Sequence, residues 1–126
     1  MYAIILVDLP DRREGDTIKD IKEKFINSYL SSIKKNVIID NYTFAERRKN
    51  ITFLRENFLV QEDIKEIVLG LSPNDCIKGP EDDHDGYKGY VLVFKSKHNT
   101  LGSIIYIKIR YNPPNEVVFI SFHGDE

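Results

Sequence analysis

The feature that most constrains this chain is a change of period partway along it. From Gly89 onward apolar and polar residues alternate in three runs, Gly89 to Ser96, Ser103 to Tyr111 and Glu116 to Phe122. A period of two belongs to β-strands, whose successive side chains point to opposite faces, so three strands are predicted. Only Asn112-Pro113-Pro114-Asn115 separates the last two. Proline cannot donate to a sheet ladder, so this segment is a connection. Connections this short favour antiparallel neighbours, hence a meander.

Before Gly89 the period is helical. Ile18, Ile21, Phe25, Tyr29, Leu30 and Ile33 recur on one face with Lys and Glu between them, which predicts a helix capped by Thr17. Asn36 is expected to end it, and Val37 to Asp40 to form a short strand. A second helix is expected from Thr43, where Glu46 stands at capping-box spacing, with Phe44, Ile51, Leu54 and Phe58 on its apolar face. The run Arg47, Arg48, Lys49 on that helix reads as a solvated face. A third helix, roughly Gln61 to Leu71, would bury Ile64, Ile67, Val68 and Leu71. Met1 to Leu9 reads as a short strand followed by a loop at Pro10 and Gly15. Helices first and strands afterwards predict an α+β fold, with N-terminal helices packed on one face of a C-terminal antiparallel sheet. At 126 residues a single domain can bury its own core.

Composition narrows the function classes. The single Cys76 can form no internal disulfide, which fits a reducing compartment. The apolar run Tyr2 to Val7 is too short to cross a membrane and lacks the features of a secretion signal. A cytoplasmic protein without a membrane partner is expected. The net charge of −2 argues against a general nucleic-acid coat protein. The charge is uneven, however. From Gly86 onward Lys88, Lys95, Lys97, Lys108 and Arg110 oppose Glu116, Asp125 and Glu126, while acidic residues crowd Glu81 to Asp85. A polyanion site would have to be local.

Alternation assigns that site a face. In the middle strand Ile105, Ile107 and Ile109 share one side, and Tyr106, Lys108 and Arg110 the other. In the last strand Val118, Ile120 and Phe122 share one side, and Val117, Phe119, Ser121 and His123 the other. If the all-apolar sets face the helices, Tyr106, Lys108, Arg110, Ser121 and His123 stand together on the opposite face, with Lys78 at its rim. Lysine and arginine stabilise charge on a phosphodiester, and histidine, tyrosine or lysine can move protons. Such a set can cleave RNA without a metal by directing the ribose 2′-OH onto the adjacent phosphorus, a requirement that excludes DNA. A solvent-facing sheet side carrying Lys and Arg is also what many α+β proteins show.

The acidic segment fails as a metal site. Aligning Gly86 with the turn glycine of an EF-hand puts Glu81, Asp83 and Asp85 at the first, third and fifth positions, but the twelfth is Leu92. Cys76 and His84 have no second pair at zinc spacing, since His98 and His123 lie far along the chain. The carboxylates read as solvated trim, and neither metal nor other cofactor is expected. Cys76, next to Ile77 and without a base nearby in sequence, reads as a buried thiol.

The series LGLSPNDCIKGPEDD, IIYIKIRY and EVVFISFH, in this order, resembles the MqsR (motility quorum-sensing regulator) family of type II toxins, small messenger-RNA interferases with a RelE-like α+β fold. The likeness spans Tyr42 to His123, which sets residues 1–41 apart as an N-terminal extension and makes 42–126 the toxin-like core. It implies a metal-independent endoribonuclease acting on single-stranded messenger RNA and restrained by a cognate antitoxin protein. Lys78, Tyr106 and His123 would be catalytic, and Lys108, Arg110, Lys88 and Lys95 would contact RNA. The chain departs from the family pattern at Cys76, where an aromatic is expected, and near Tyr90 to Val93, where a glutamine is. Two other functions stay open: a catalytically silent protein- or RNA-binding module, and a metal-dependent hydrolase using Glu81, Asp83 and Asp85.

Overall fold

The computed structural model describes residues 18–98 and 102–125. The strand expected at Met1 to Leu9, the loop after it and the Thr17 cap lie outside the described residues.

Helix α1 (Ile18–Ile38) buries Ile21, Phe25, Ile26, Leu30, Ile33 and Val37 along one stripe. It runs through Asn36 and consumes part of the expected strand at Val37 to Asp40. The reason is local: the buried Asn36 amide donates to Ser32 O at 2.9 Å and accepts from Asn41 Nδ2 at 2.7 Å. Its polar atoms are satisfied by the preceding turn of the helix and by Asn41 just beyond it, so it does not break the helix.

The second helix begins later than expected. Thr43–Phe44 forms a short strand, β1, parallel to the last strand, and helix α2 (Arg48–Glu56) follows without a side-chain cap at Arg47. The capping box at Thr43 and Glu46 is therefore not formed. Aromatic packing overrides it, since Phe44 lies 6.2 Å from Phe119 and 5.9 Å from Phe122, centroid to centroid. Phe58, assigned to the apolar face of this helix, follows it instead and is 89% exposed. Helix α3 (Gln61–Leu69) starts where the Asp63 carboxylate accepts the Val60 N–H at 2.8 Å. It buries Ile64, Ile67 and Val68, and Leu71 beyond it is buried as expected.

A 3₁₀ turn at Pro73–Asp75 leads into strand β2 (Cys76–Asp82), followed by β3 (Tyr90–His98), β4 (Ser103–Asn112) and β5 (Glu116–Gly124). Among the described residues these form a five-stranded mixed sheet in the order β1-β5-β4-β3-β2, with β2 to β5 an antiparallel meander. The fold is α+β with helices on a sheet, as expected. Strand β2 is not among the three strands expected from the sequence, and it holds Gly79 and Pro80 within the sheet. Glycine, proline and acidic residues are depleted in strands, but an edge strand with two register shifts accommodates them. Gly79 has φ 94°, and a Cβ there would fall 2.2 Å from Val91 O. Only glycine lets this bulged edge lie so close to its neighbour.

The core is one contiguous cluster in which α1 and α3 pack on Leu92, Phe94, Ile105, Ile107, Ile109, Val117, Phe119 and Phe122. The helix assigned to the N-terminal extension shares this core with the sheet. The faces of β5 need correction. Val117 and Phe119 point inward, not Val118 and Ile120. Lys108 pairs with Ser121 while Ile109 pairs with Phe119, so Ile120 is an extra, bulged residue. The bulge shifts the alternation by one, and beyond it Phe122 is inward while Ser121 and His123 share the face of Tyr106. No helix among the described residues is long and apolar enough to cross a membrane.

Candidate functional site

The β5 bulge is held from outside the sheet. Asn50 of α2, 1% exposed, donates to Ala45 O at 3.0 Å and to Ile120 O at 3.1 Å, and accepts the Phe122 N–H at 3.0 Å. Arg47 reaches the same place, with Nη1 3.2 Å from Ser121 Oγ and 3.4 Å from Ile120 O. Helix α2 is thereby fastened along the outer edge of β5, and His123 emerges just beyond the fastening.

Tyr106 and His123 are register partners across β4 and β5, and their rings stack with centroids 5.3 Å apart and planes 15° from parallel. Nδ1 of His123 lies 2.9 Å from Gly124 O. A carbonyl oxygen only accepts, so Nδ1 carries the proton in this contact, and the neutral ring keeps its lone pair at Nε2. On the far side of His123 from Tyr106 opens a cleft of about 450 Å³, walled by Arg48, Lys49, Thr52, Phe53 and Glu56 of α2 together with Gly124. The run Arg48-Lys49, read from sequence as a solvated face, therefore lines the depression beside the histidine. The sequence carries no local sign of this, because a short parallel pairing and a bulge create the juxtaposition.

The remaining site residues divide. Lys108 stands on the same face as Tyr106, and among the described residues no carboxylate pairs with it, nor with Arg48 or Lys49. Lys95 is the register partner of Tyr106 on β3, with its ammonium 3.0 Å from Asp125. Lys78 is in register with Val93, which pairs with Lys108. It is thus three strands from β5, roughly 14 Å at ordinary strand spacing, and lies 3.5 Å from Glu81. The structure does not bring Lys78 together with Tyr106 and His123. Lys88 lies in the exposed bend before β3, toward the Tyr90–Tyr111 end of the sheet.

Arg110 is engaged. Its Nη1 lies 3.3 Å from Asp83 Oδ2, with the two side chains 13% and 5% exposed, and the Tyr87 ring sits over the guanidinium at 4.2 Å. It is not an open phosphate ligand. Asp83, read as solvated trim, is a buried counter-ion whose other oxygen accepts the Asp85 N–H at 2.7 Å. Glu81 faces Lys78 and, at 3.7 Å, His84. The acidic segment thus folds over the sheet and pairs with its cations. Among the described residues no three His, Cys, Asp or Glu stand grouped as metal ligands. Burial pushes the Cys76 thiol up from its ordinary pKa, partly offset by hydrogen bonding to the backbone at Lys78 and by nearby Lys22.

Neither a protein-family model, nor a curated protein, nor a solved structure matches this chain. The geometry therefore carries the chemistry alone. One end of the sheet face joins a stacked Tyr–His pair to unpaired cations; the other end is closed by ion pairs.

Proposed function

We propose that this chain is a metal-independent endoribonuclease toxin of the RelE-like, MqsR-related kind, cleaving single-stranded messenger RNA and held in check by a cognate antitoxin. The observation that supports this reading most is the stacking of His123 on Tyr106 beside a cleft walled by Arg48 and Lys49. The Nε2 lone pair of His123 removes the ribose 2′-OH proton. The oxygen attacks the adjacent phosphorus and forms a 2′,3′-cyclic phosphate as the bond to the 5′-oxygen breaks. An acid returns a proton to that oxygen, and the Tyr106 hydroxyl is the nearest candidate on the face. Lys108, Arg48 and Lys49 stabilise the phosphorane charge, each without a paired carboxylate among the described residues. Lys78 and Arg110 are left out of this set because Glu81 and Asp83 hold them.

The paired half of the face favours a second reading, a module that binds RNA or protein without cleaving. Incubation of 5′-labelled single-stranded RNA with the purified chain in excess chelator separates the two. Products with cyclic-phosphate and 5′-hydroxyl ends support the nuclease. Intact RNA would overturn it, and cleavage abolished by the chelator would indicate a metal-dependent enzyme instead.

A further inference from the structure

Tyr87 is an exposed aromatic side chain whose position is fixed from beneath. One face of its ring rests on the Arg110 guanidinium, Arg110 is anchored by the buried Asp83, and the ring remains 61% exposed. An aromatic on an acidic, glycine-flanked loop ordinarily has no reason to be held this way. Here a buried ion pair serves as its pedestal, and the loop Asp83 to Gly89 arches over the sheet face to set it there.

The pedestal has a direction. Arg110 and Tyr106 lie four residues apart on the same face of β4, roughly 13 Å along the strand. Lys108 stands between them with no carboxylate paired to it among the described residues, and Lys88 follows Tyr87 in the exposed bend. From Tyr106 toward Arg110 the face thus carries the Tyr–His pair, then the Lys108 ammonium, then the Tyr87 ring over Arg110, with Lys88 next to it in the loop. Proteins that hold single-stranded nucleic acid alternate cations for the backbone with aromatic faces for the bases, because every base presents a π-face.

We propose that Tyr87 is a base-stacking platform of this chain, binding an unpaired nucleobase of single-stranded RNA a short distance along the strand from the reacting phosphate, with Lys108 holding the intervening backbone. This rests on the nuclease reading for the position of the reacting phosphate, but the platform itself is a binding site and is measurable without cleavage. Arg110 acts as a positioning residue: it holds the ring and does not touch RNA. The site is tolerant of base identity, since stacking needs no hydrogen-bond readout.

The test uses a fluorescein-labelled single-stranded 2′-O-methyl RNA, which lacks the 2′-OH nucleophile and stays intact. Its affinity for the unmodified chain and for Tyr87→Ala and Tyr87→Phe is read by anisotropy. Tyr87→Ala is expected to bind about 5- to 150-fold more weakly, the span that base–aromatic stacking carries, and Tyr87→Phe to bind like the unmodified chain. The sequence has no tryptophan, so a Tyr87→Trp variant supplies a single reporter whose emission should be quenched on binding an unlabelled oligonucleotide of the same kind. Equal affinity of the Tyr87→Ala variant, or a tryptophan unaffected at saturation, would overturn the platform. Tyr87-dependent binding by a chain that cleaves no unmodified RNA would sink the nuclease reading and leave the platform standing. Cleavage with Tyr87-independent binding would do the reverse.

Discussion

The imidazole of His123 lies against the phenol of Tyr106, 15° from parallel and 5.3 Å between centroids. Stacking fixes the plane of the imidazole, and the contact of Nδ1 with Gly124 O fixes its tautomer. If His123 is the general base, His123→Ala should lower cleavage of single-stranded RNA by about 10²–10⁴-fold while leaving binding of an uncleavable analogue unchanged. Tyr106→Phe keeps the stack and removes the hydroxyl. Comparable loss in that variant would assign Tyr106 to proton transfer, whereas near-full activity would leave it a support for the ring. An undiminished rate in His123→Ala removes the histidine from the chemistry.

His123 is delivered to its face by the β5 bulge, and Asn50 satisfies the backbone groups that the bulge exposes. Truncation to Asn50→Ala leaves the Phe122 N–H without a partner in a buried place, and leaves the Ile120 and Ala45 carbonyls with Arg47 alone, through its guanidinium and its backbone N–H. With each unsatisfied group costing about 1–3 kcal/mol, a total loss of roughly 3 kcal/mol is expected after local relaxation, seen as a lower urea midpoint at unchanged m-value. RNA cleavage should fall with it even at temperatures where the variant is folded. A stability equal to the unmodified chain would show that water replaces the amide and that the clamp is dispensable.

How far sequence reasoning reached depends on what each residue's neighbours in space were doing. Alternation correctly placed Ile105, Ile107 and Ile109 inside and Tyr106, Lys108 and His123 outside, because a period of two leaves a strand little choice. It misplaced Val117 through Ile120, since an all-apolar run such as VVFI reads equally well in either phase and a one-residue bulge leaves no mark in it. Strand β2 was hidden by Gly79, Pro80 and the carboxylates, whose tolerance depends on the strand being an edge. Asn36 looked like a helix end because its partners, Ser32 O and Asn41, are visible only once the helix is closed. The charges fared by the same rule. Lys108 kept the exposure alternation gave it, but Arg110 was captured by Asp83, 27 residues away, which no local pattern announces.

Cys76 gives a pH-dependent outcome. Burial, its largest cause, raises the thiol pKa in the folded chain, so at alkaline pH the unfolded chain releases this proton first. The stability it contributes is complete below the ordinary thiol pKa of about 8.5. It is lost as pH rises from there through the higher folded value. Urea midpoints of the unmodified chain should thus fall above about pH 8.5 more than those of Cys76→Ala. Alkylation by iodoacetamide at pH 8 should be slower in the native chain than in urea. Equal rates in the two states would place the thiol in solvent.

An Arg110 that binds substrate and one that organises the face differ in what their loss does. Asp83 and Tyr87 already occupy its guanidinium. Breaking the pair from one side, in Asp83→Ala, leaves a largely buried cation unpaired and should cost about 3 kcal/mol, the lower end for one-sided loss of a buried pair because Arg110 keeps some contact with water. The double replacement Asp83→Leu with Arg110→Met removes both charges and should cost less than the single one. A catalytic arginine predicts a different kinetic signature. If Arg110 stabilised the transition state, Arg110→Met would lower kcat directly. If it holds the Tyr87 surface, the same variant should raise KM and change kcat by less than about tenfold. A large fall in kcat at unchanged KM would return Arg110 to the reacting phosphate, and would mean that Asp83 is displaced when RNA binds.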